Sequence, residues 1–319
     1  MEQRNTEGLN TLPMLCCPEC KGDLIQSGEE LICTTESCKK TYQKIGNIYN
    51  FLPEKIEKDA GLSKEKWDEF YIDKEGRLSY EEQYRIYLND NFQNVFDQIR
   101  KYKEFGNETI FLEIGCGPMY LARALSDKCK LVVGIDFSLE ALKLGERMLE
   151  DMGIHNYLLI LGDIQKMPIK ENQIDILYGG GVIEHIENTP ATIKELYRVL
   201  KSGGISFNTV PSLNIGSLTY RQVWGNIPNF PVLKQIAEFV HIKLLKSKHM
   251  IFGYEFSFLG SHIKRMHKTA GFKEVYVDQF ATKLLFEFVP FALLRKFFIY
   301  LAETSPLFWP MIKVVGVKS

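Results

Sequence analysis

Between residues 109 and 210 the chain repeats one unit, a short apolar run, a turn, and a stretch with helical spacing. TIFLEIGCG and KLVVGIDFS are such runs, followed by the helical stretches YLARALSDK and SLEALKLGERMLEDMG. YLLILGD, QIDILYGG and GGISFNTVP continue the series, with NTPATIKELYRVL between the last two. Runs this apolar suit strands buried on both faces, and their alternation with helices argues for a parallel sheet in an α/β fold. The 319 residues suffice for one large domain or two. A charged fraction of 25% with 12% aromatics excludes a disordered chain. The polar opening MEQRNTEGLN reads as a loose terminus rather than a secretory leader, so a cytoplasmic protein is expected.

The strand ends carry the chemistry. A glycine turn after a first strand is generic to nucleotide-binding sheets, and the ligand has to be identified from its surroundings. A dinucleotide loop wants a third glycine at its sixth position, so that a pyrophosphate can rest on the helix N-terminus. The loop here is Gly115-Cys116-Gly117-Pro118-Met119-Tyr120, with a bulky tyrosine in that place. Glu113 stands just ahead of it. A carboxylate there would repel a pyrophosphate but would suit a ligand bearing an ammonium and a sulfonium. Asp136 ends the second strand, where a carboxylate can accept both hydroxyls of a ribose. Asp163 follows the third strand, placed to accept an adenine amino group. Taken singly, each acid reads equally well as a helix cap or a solvated loop residue. Three at successive strand ends point to one ligand.

LEIGCGPMYLARAL, VVGIDFSLEAL, LGDIQKMPI, IDILYGGGVIEHI and ELYRVLKSGGISFNTVP resemble, in order, the motifs of class I S-adenosylmethionine-dependent methyltransferases of the type 11 kind. The resemblance spans about 100 residues and implies a seven-stranded Rossmann-like sheet over 106–319. It implies that Glu113, Gly115, Cys116 and Gly117 shape a methionine pocket and that Asp136 holds the ribose. Phe137 would lie beside the adenine, Asp163 and Ile164 would contact the base, and Gly180 would complete the cofactor set. Met119 stands where the family commonly has a third glycine, which is expected to narrow the loop. Methyl transfer relies heavily on positioning, with a base added when the acceptor must lose a proton. His185, in VIEHIEN, is the candidate base, though a pocket-wall role fits it as well. Glu184 is a weaker candidate.

A second cluster lies near the N-terminus. Cys17-x2-Cys20 is followed by Cys33-x4-Cys38, four thiols able to close a tetrahedral shell around a structural zinc. Short strand-like stretches, DLIQSG, ELIC and TYQKIGNIYNF, surround them. A unit over 11–53 is too small to fold on its own apolar surface, so a metal would supply its stability. Cys16 is one thiol too many and is read as a spectator; Cys116 and Cys129 read as buried small hydrophobes. LCCPECKGDL and ELICTTESCKKTYQKIGNIYNFL resemble the zinc ribbon of the small activator subunit shared by tRNA, rRNA and protein methyltransferases, which also occurs fused ahead of methyltransferase domains.

Residues 54–105 are charged and aromatic, with helical spacing, and read as a helical linker or lid. Trp67, Phe70, Tyr71, Tyr84, Tyr87, Phe92 and Phe96 are expected to face the core. SHIKRMHKTAG reads as a helix, FKEVYVDQF as the sixth strand and MIKVVGVKS as an antiparallel seventh. Two insertions, 212–258 and 281–310, form helical or apolar caps. The second, LLFEFVPFALLRKFFIYLAETSPLFWP, is interrupted by charges and proline, which fits an interfacial segment or a lid better than a membrane span. Residues 211–319 hold 14 Lys and Arg against 6 Asp and Glu, while 1–210 hold 25 against 34. This basic third suggests an anionic partner, or simple complementarity to the acidic part. The preferred acceptor is a hydrophobic or lipid-like small molecule, met peripherally at the inner face of a membrane through 281–310, with no obligate protein partner. An RNA base methyltransferase is the alternative, weakened because the N-terminal third lacks a basic footprint. A noncatalytic binding module is the remaining reading.

Overall fold

The computed structural model of the chain describes residues 12–53, 64–72, 92–215, 256–280 and 291–319, with residues 82, 85, 227, 228, 235, 236 and 239. Two compact units emerge, one comprising 1–178 and 198–205, the other 179–197 and 206–319.

The first unit begins with four short strands, β1 (Leu24–Ser27), β2 (Glu30–Cys33), β3 (Thr41–Ile45) and β4 (Ile48–Asn50), paired antiparallel in sequence order. β2 buries Leu31 and Cys33 and β4 buries Ile48. β1 keeps only Leu24 buried, and β3 only Tyr42. Helix α1 covers 64–72 and α2 covers Gln93–Arg100. Next come β5 (Ile110–Ile114), α3 (Tyr120–Leu125), β6 (Leu131–Asp136), α4 (Leu139–Asp151) and β7 (Tyr157–Leu161). β8 (Ile174–Gly180) and β9 (Leu200–Pro211) each start in this unit, and the division of the chain falls within them. The alternation expected from 109 to 210 is therefore present, and β6 is buried at every residue, as an apolar run in a covered parallel sheet should be.

Strand order in this unit is β1-β2-β3-β4-β7-β6-β5-β8-β9. The pairs β5–β6, β6–β7 and β5–β8 are parallel, with Ile114 opposite Ile135, Asp136 opposite Leu161 and Glu113 opposite Tyr178. This register brings the carboxyl ends of β5, β6 and β7 to one rim.

Seven strands were expected and this unit alone holds nine, because the N-terminal strands continue the same sheet. β4 pairs parallel with β7, Ile48 opposite Leu159 and Asn50 opposite Leu161. β7 would otherwise present an unpaired row of amides and carbonyls, and β4 satisfies it.

In the second unit the rest of β9 neighbours β13 (Met311–Val317), and β13 pairs antiparallel with β12 (Glu274–Gln279), as the sequence suggested. β10 (Ile227–Pro228) and β11 (Phe256–Ser257) form a short parallel pair. Helices α5 (Thr189–Val199), α6 (Gly260–Ala270) and α7 (Ala292–Thr304) complete it. Most of the 212–258 insertion and residues 281–290 of the other lie outside the described residues, as do Tyr84 and Tyr87. Among the described residues, no helix is long and apolar enough to cross a membrane.

Candidate cofactor and metal sites

The loop after β5 is shaped by backbone that ordinary side chains avoid. Gly115 and Gly117 have φ of 55° and 50°, and Met119 follows at 58°. Left-handed φ is inexpensive for glycine, and here it turns the chain from β5 into α3. Met119 is fully buried. Its Sδ lies 2.7 Å, and Cys116 Sγ 2.8 Å, from where a Cβ on Gly134 of β6 would sit. The expectation that Met119 narrows the loop is thus corrected. Its side chain packs into the sheet, over a position kept free by the glycine in LVVGID.

Two carboxylates hold this loop from inside. Asp136 Oδ2 accepts from the Gly117 amide at 2.8 Å, and Oδ1 accepts from the Ser138 amide at 2.8 Å. Glu113 Oε2 accepts from the Ala122 amide of α3 at 3.0 Å. Both acids are buried. Burial raises the Glu113 pKa to about 8, against the relief given by the Ala122 amide and with a further push from Asp136. Burial also raises Asp136, while the amides of Ser138, Gly117 and Phe137 hold it back. A carboxylate has about four acceptor sites, so Glu113 and Asp136 each keep acceptor capacity for a ligand. Cys116 is buried and its thiol is pushed well above its usual range by that burial, as befits packing rather than reactivity.

The third acid plays the capping part. Asp163 Oδ1 accepts from the Gln165 amide at 2.8 Å and starts the single turn Ile164–Lys166, with Asp163 exposed and Ile164 buried. Gly162, between β7 and Asp163, donates to the Asp136 carbonyl at 2.9 Å, which ties the second and third strand ends together. Phe137 is half-buried beside Asp136 in the chain.

The first unit thus brings Glu113, Gly115, Cys116, Gly117 and Asp136 into one hydrogen-bonded cradle. Gly180, Glu184 and His185 belong to the second unit. There Gly180 ends β8, Glu184 is buried, and His185 is half-buried in the turn Ile183–His185.

Two residues reach the cradle that the sequence did not single out for it. Tyr71 of α1, grouped above with core-facing aromatics, places its hydroxyl 2.5 Å from the position of a Cβ on Gly117. Burial and then Asp136 drive its phenol well above the ordinary range. Asp68, one turn earlier, accepts from Ser138 Oγ at 2.6 Å and from the Glu140 amide at 3.4 Å, at the start of α4. Ser138 caps that helix through the Ala141 amide. The serine opening SLEAL was a legible cap signal, whereas nothing in the spacing of α1 revealed its target. Trp67, Phe70, Phe92 and Phe96, also expected to face the core, are half-buried, as is Tyr71.

At the N-terminus, Sγ of Cys17, Cys20, Cys33 and Cys38 all lie within 4.8 Å of one another. Cys17 is 3.7 Å from Cys38, and Cys20 is 3.4 Å from Cys33. Thiolates at about 2.3 Å from a tetrahedral zinc would stand roughly 3.8 Å apart, so the donor set fits such an ion. The longer spacer of the second pair is absorbed by a turn in which Thr35 O accepts from the Cys38 and Lys39 amides, with Lys39 at a φ of 47°. Lys21 ends the first turn in the same way, at 59°. The Thr35 hydroxyl and then the Gly22 amide lower the Cys20 pKa to about 6, while burial raises Cys33 and Cys38 is pushed up to about 12, so of these three Cys20 is the thiol that most readily loses its proton. Cys16 lies outside the group of four.

Against known proteins, residues 112–207 match the type 11 family model described as a methyltransferase domain. A demethylmenaquinone methyltransferase from Geobacillus stearothermophilus is 34% identical over 99 residues, 30% of this chain and 42% of that protein. A malonyl-[acyl-carrier protein] O-methyltransferase from Serratia marcescens is 32% identical over 117 residues, 36% of this chain and 44% of its own. The chain therefore spans less than half the length of these relatives. Among solved structures, a complex between a Haloferax volcanii methyltransferase activator and a methyltransferase aligns with a TM-score of 0.51 and 15% identity, over 79% of this chain and 97% of the matched one. A Haemonchus contortus phosphoethanolamine N-methyltransferase aligns at 0.50 and 18%, over 71% and 52%. At these identities the structures speak for the fold alone. The similarity to methyltransferase domains is thus carried by residues 112–207, the stretch that holds the cradle.

Proposed function

We propose that the chain is an S-adenosylmethionine-dependent methyltransferase whose acceptor is hydrophobic or lipid-like. The observation that carries this reading is the cradle itself, two buried carboxylates gripping a loop with left-handed turns at Gly115 and Gly117. When bound, S-adenosylmethionine supplies an electrophilic sulfonium methyl. Glu113 would answer the positive charge of the methionine end, and a fixed cation beside it would draw its raised pKa back down. Asp136 would use its remaining lone pairs on the ribose hydroxyls. Phe137, Ile164 and Asp163 would flank the adenine, while Cys116 completes the lining. Tyr71 and Asp68 make α1 a lid segment over the cofactor. His185 is the candidate base where the acceptor must lose a proton, and a His185→Gln variant would then lose the neutral-pH limb of its rate profile. The four N-terminal cysteines would hold a zinc that is structural, since all four positions are sulfur.

The lipid-like acceptor draws support from α7. Leu293, Phe297 and Tyr300 share one helical face and are 85%, 54% and 62% exposed. The opposite face packs inward, with buried Ala302 against Phe298, Ile299 and Phe308. A surface helix normally turns its polar side to water, and an apolar stripe facing outward marks an interaction site. Lys296 lies exposed beside that stripe, and no acid occupies the first turn of α7. This composition suits peripheral contact with an anionic phospholipid surface at the inner face of a membrane. The relatives named above act, by their names, on demethylmenaquinone and on malonyl-acyl-carrier protein. The test is methyl transfer from labelled S-adenosylmethionine into lipid extracts and into RNA, with anionic vesicles present or absent. Label in an organic-extractable product, stimulated by vesicles, is the expected result. Label in RNA would replace this acceptor class with the alternative.

A further inference from the structure

The segment that follows β7 carries Asp163 and Ile164, and the cysteine unit grips it along its length. Cys16 N donates to Pro168 O at 3.0 Å, and Lys170 N donates to Met14 O at 2.8 Å. Leu15 and Ile169 form an antiparallel bridge between those two bonds. Lys21 Nζ donates to the carbonyl of Met167 at 3.1 Å. Two ion pairs flank these contacts, Lys166 with Glu19 at 3.1 Å and Lys170 with Asp23 at 2.5 Å. β4 holds the strand just before, and Phe51 N donates to Leu161 O at 2.8 Å. Every residue from Leu161 to Lys170 is thus within four positions of an anchor on the N-terminal unit.

These anchors are themselves built around the thiols. Cys16 precedes Cys17, whose carbonyl accepts from the Lys21 amide at 2.8 Å and whose own amide donates to Gly22 O at 2.9 Å. Glu19 and Lys21 flank Cys20. The turn Cys17–Lys21 therefore presents thiolate sulfur on one side and the grip on 166–170 on the other. Cys16 and Cys17 are buried, but Glu19, Cys20 and Lys21 are exposed, and an ion at the four sulfurs would fix this outer end of the turn.

We propose that the cysteine unit is a clamp on the adenine-side segment, so that Glu19 and Lys21 are positioning residues for the cofactor. Metal at Cys17, Cys20, Cys33 and Cys38 sets the turn, the turn sets the backbone of 166–170, and that backbone sets Asp163 and Ile164. The unit thereby contributes to cofactor affinity without touching the cofactor. The inference rests on the proposed use of Asp163 and Ile164 toward the adenine.

The test is calorimetric titration with S-adenosylhomocysteine of the full-length, zinc-loaded chain and of a Glu19→Gln, Lys21→Met double variant. Zinc content and thermal midpoint are measured on the same samples. The variant should retain one zinc and a midpoint near that of the parent, yet bind about threefold to tenfold more weakly, the range for a lost hydrogen bond. In an Asp163→Ala background, the same double change should alter affinity less than it does in the parent, because part of its effect passes through Asp163. Stripping zinc with EDTA should weaken binding at least as much, and zinc should restore it. Unchanged affinity in the double variant would overturn the clamp, as would a full loss persisting in the Asp163→Ala background. A folded, zinc-loaded parent that binds no S-adenosylhomocysteine would instead remove the cofactor reading, and the clamp with it.

Discussion

The cofactor cradle and the cysteine unit lie in one sheet and reach order by opposite means. In the cradle, packing does the work. β6 is buried throughout, Met119 and Cys116 close over Gly134, and Glu113 and Asp136 are spent on backbone amides. Strands β1 to β4 bury only one or two side chains each, and of the four thiols Cys17 and Cys33 are buried while Cys20 is exposed. Where a chain can enclose its polar groups, geometry follows from hydrogen bonds in a dry interior. Where it encloses less, a bound ion can add to a small core.

That contrast is most severely tested by removing one sulfur. Cys33→Ser should lower zinc affinity by more than about 100-fold, beyond what loss of a merely supporting contact produces. Strands β1 to β4 should then lose protection in hydrogen exchange, while β5 and β6 keep theirs. Retained protection in β1 to β4 without metal would show that the unit has a core of its own. In the cradle the sharper test is steric. Gly134→Ala puts a methyl group where two sulfur atoms already approach within 2.8 Å. The expected cost is about 1–3 kcal/mol in chemical denaturation, with zinc content unchanged.

A smaller effect concerns protons. Glu113 rises from 4.5 to about 8 in the folded chain, so the folded state keeps a proton that the unfolded chain gives up. Its contribution to stability is complete below 4.5 and is lost as pH rises through about 8. Glu113→Gln should flatten that slope in urea titrations between these values. A cationic ligand should also expel the proton at pH 7, giving a binding heat that varies with buffer ionisation in the parent and not in the variant.

The parallel sheet was legible because its signal is local and repeated. The first four apolar runs end on glycine or an acid, helical stretches follow the first, second and fourth, and those strands and helices are all present. The cradle was legible for the same reason, since Glu113 and Asp136 occupy strand ends whose direction the alternation dictates. Two things escaped. The pairing of β4 with β7 joins residues more than 100 positions apart, and nothing in IYN names its partner. Tyr71 was visible as an aromatic at helical spacing, but its approach to Gly117 depends on where α1 docks, which periodicity does not encode. Asp163 was readable as both cap and ligand, and the cap is what its Oδ1 makes here.

The most direct test of the cradle as a cofactor site is calorimetric titration of the zinc-loaded chain with S-adenosylmethionine, set beside Asp136→Ala. One site per chain is predicted, weakened about 100-fold in the variant, as expected for two charge-assisted bonds of about 1.5 kcal/mol each. A folded parent that takes up no S-adenosylmethionine, or a variant that binds as tightly as the parent, would contradict it.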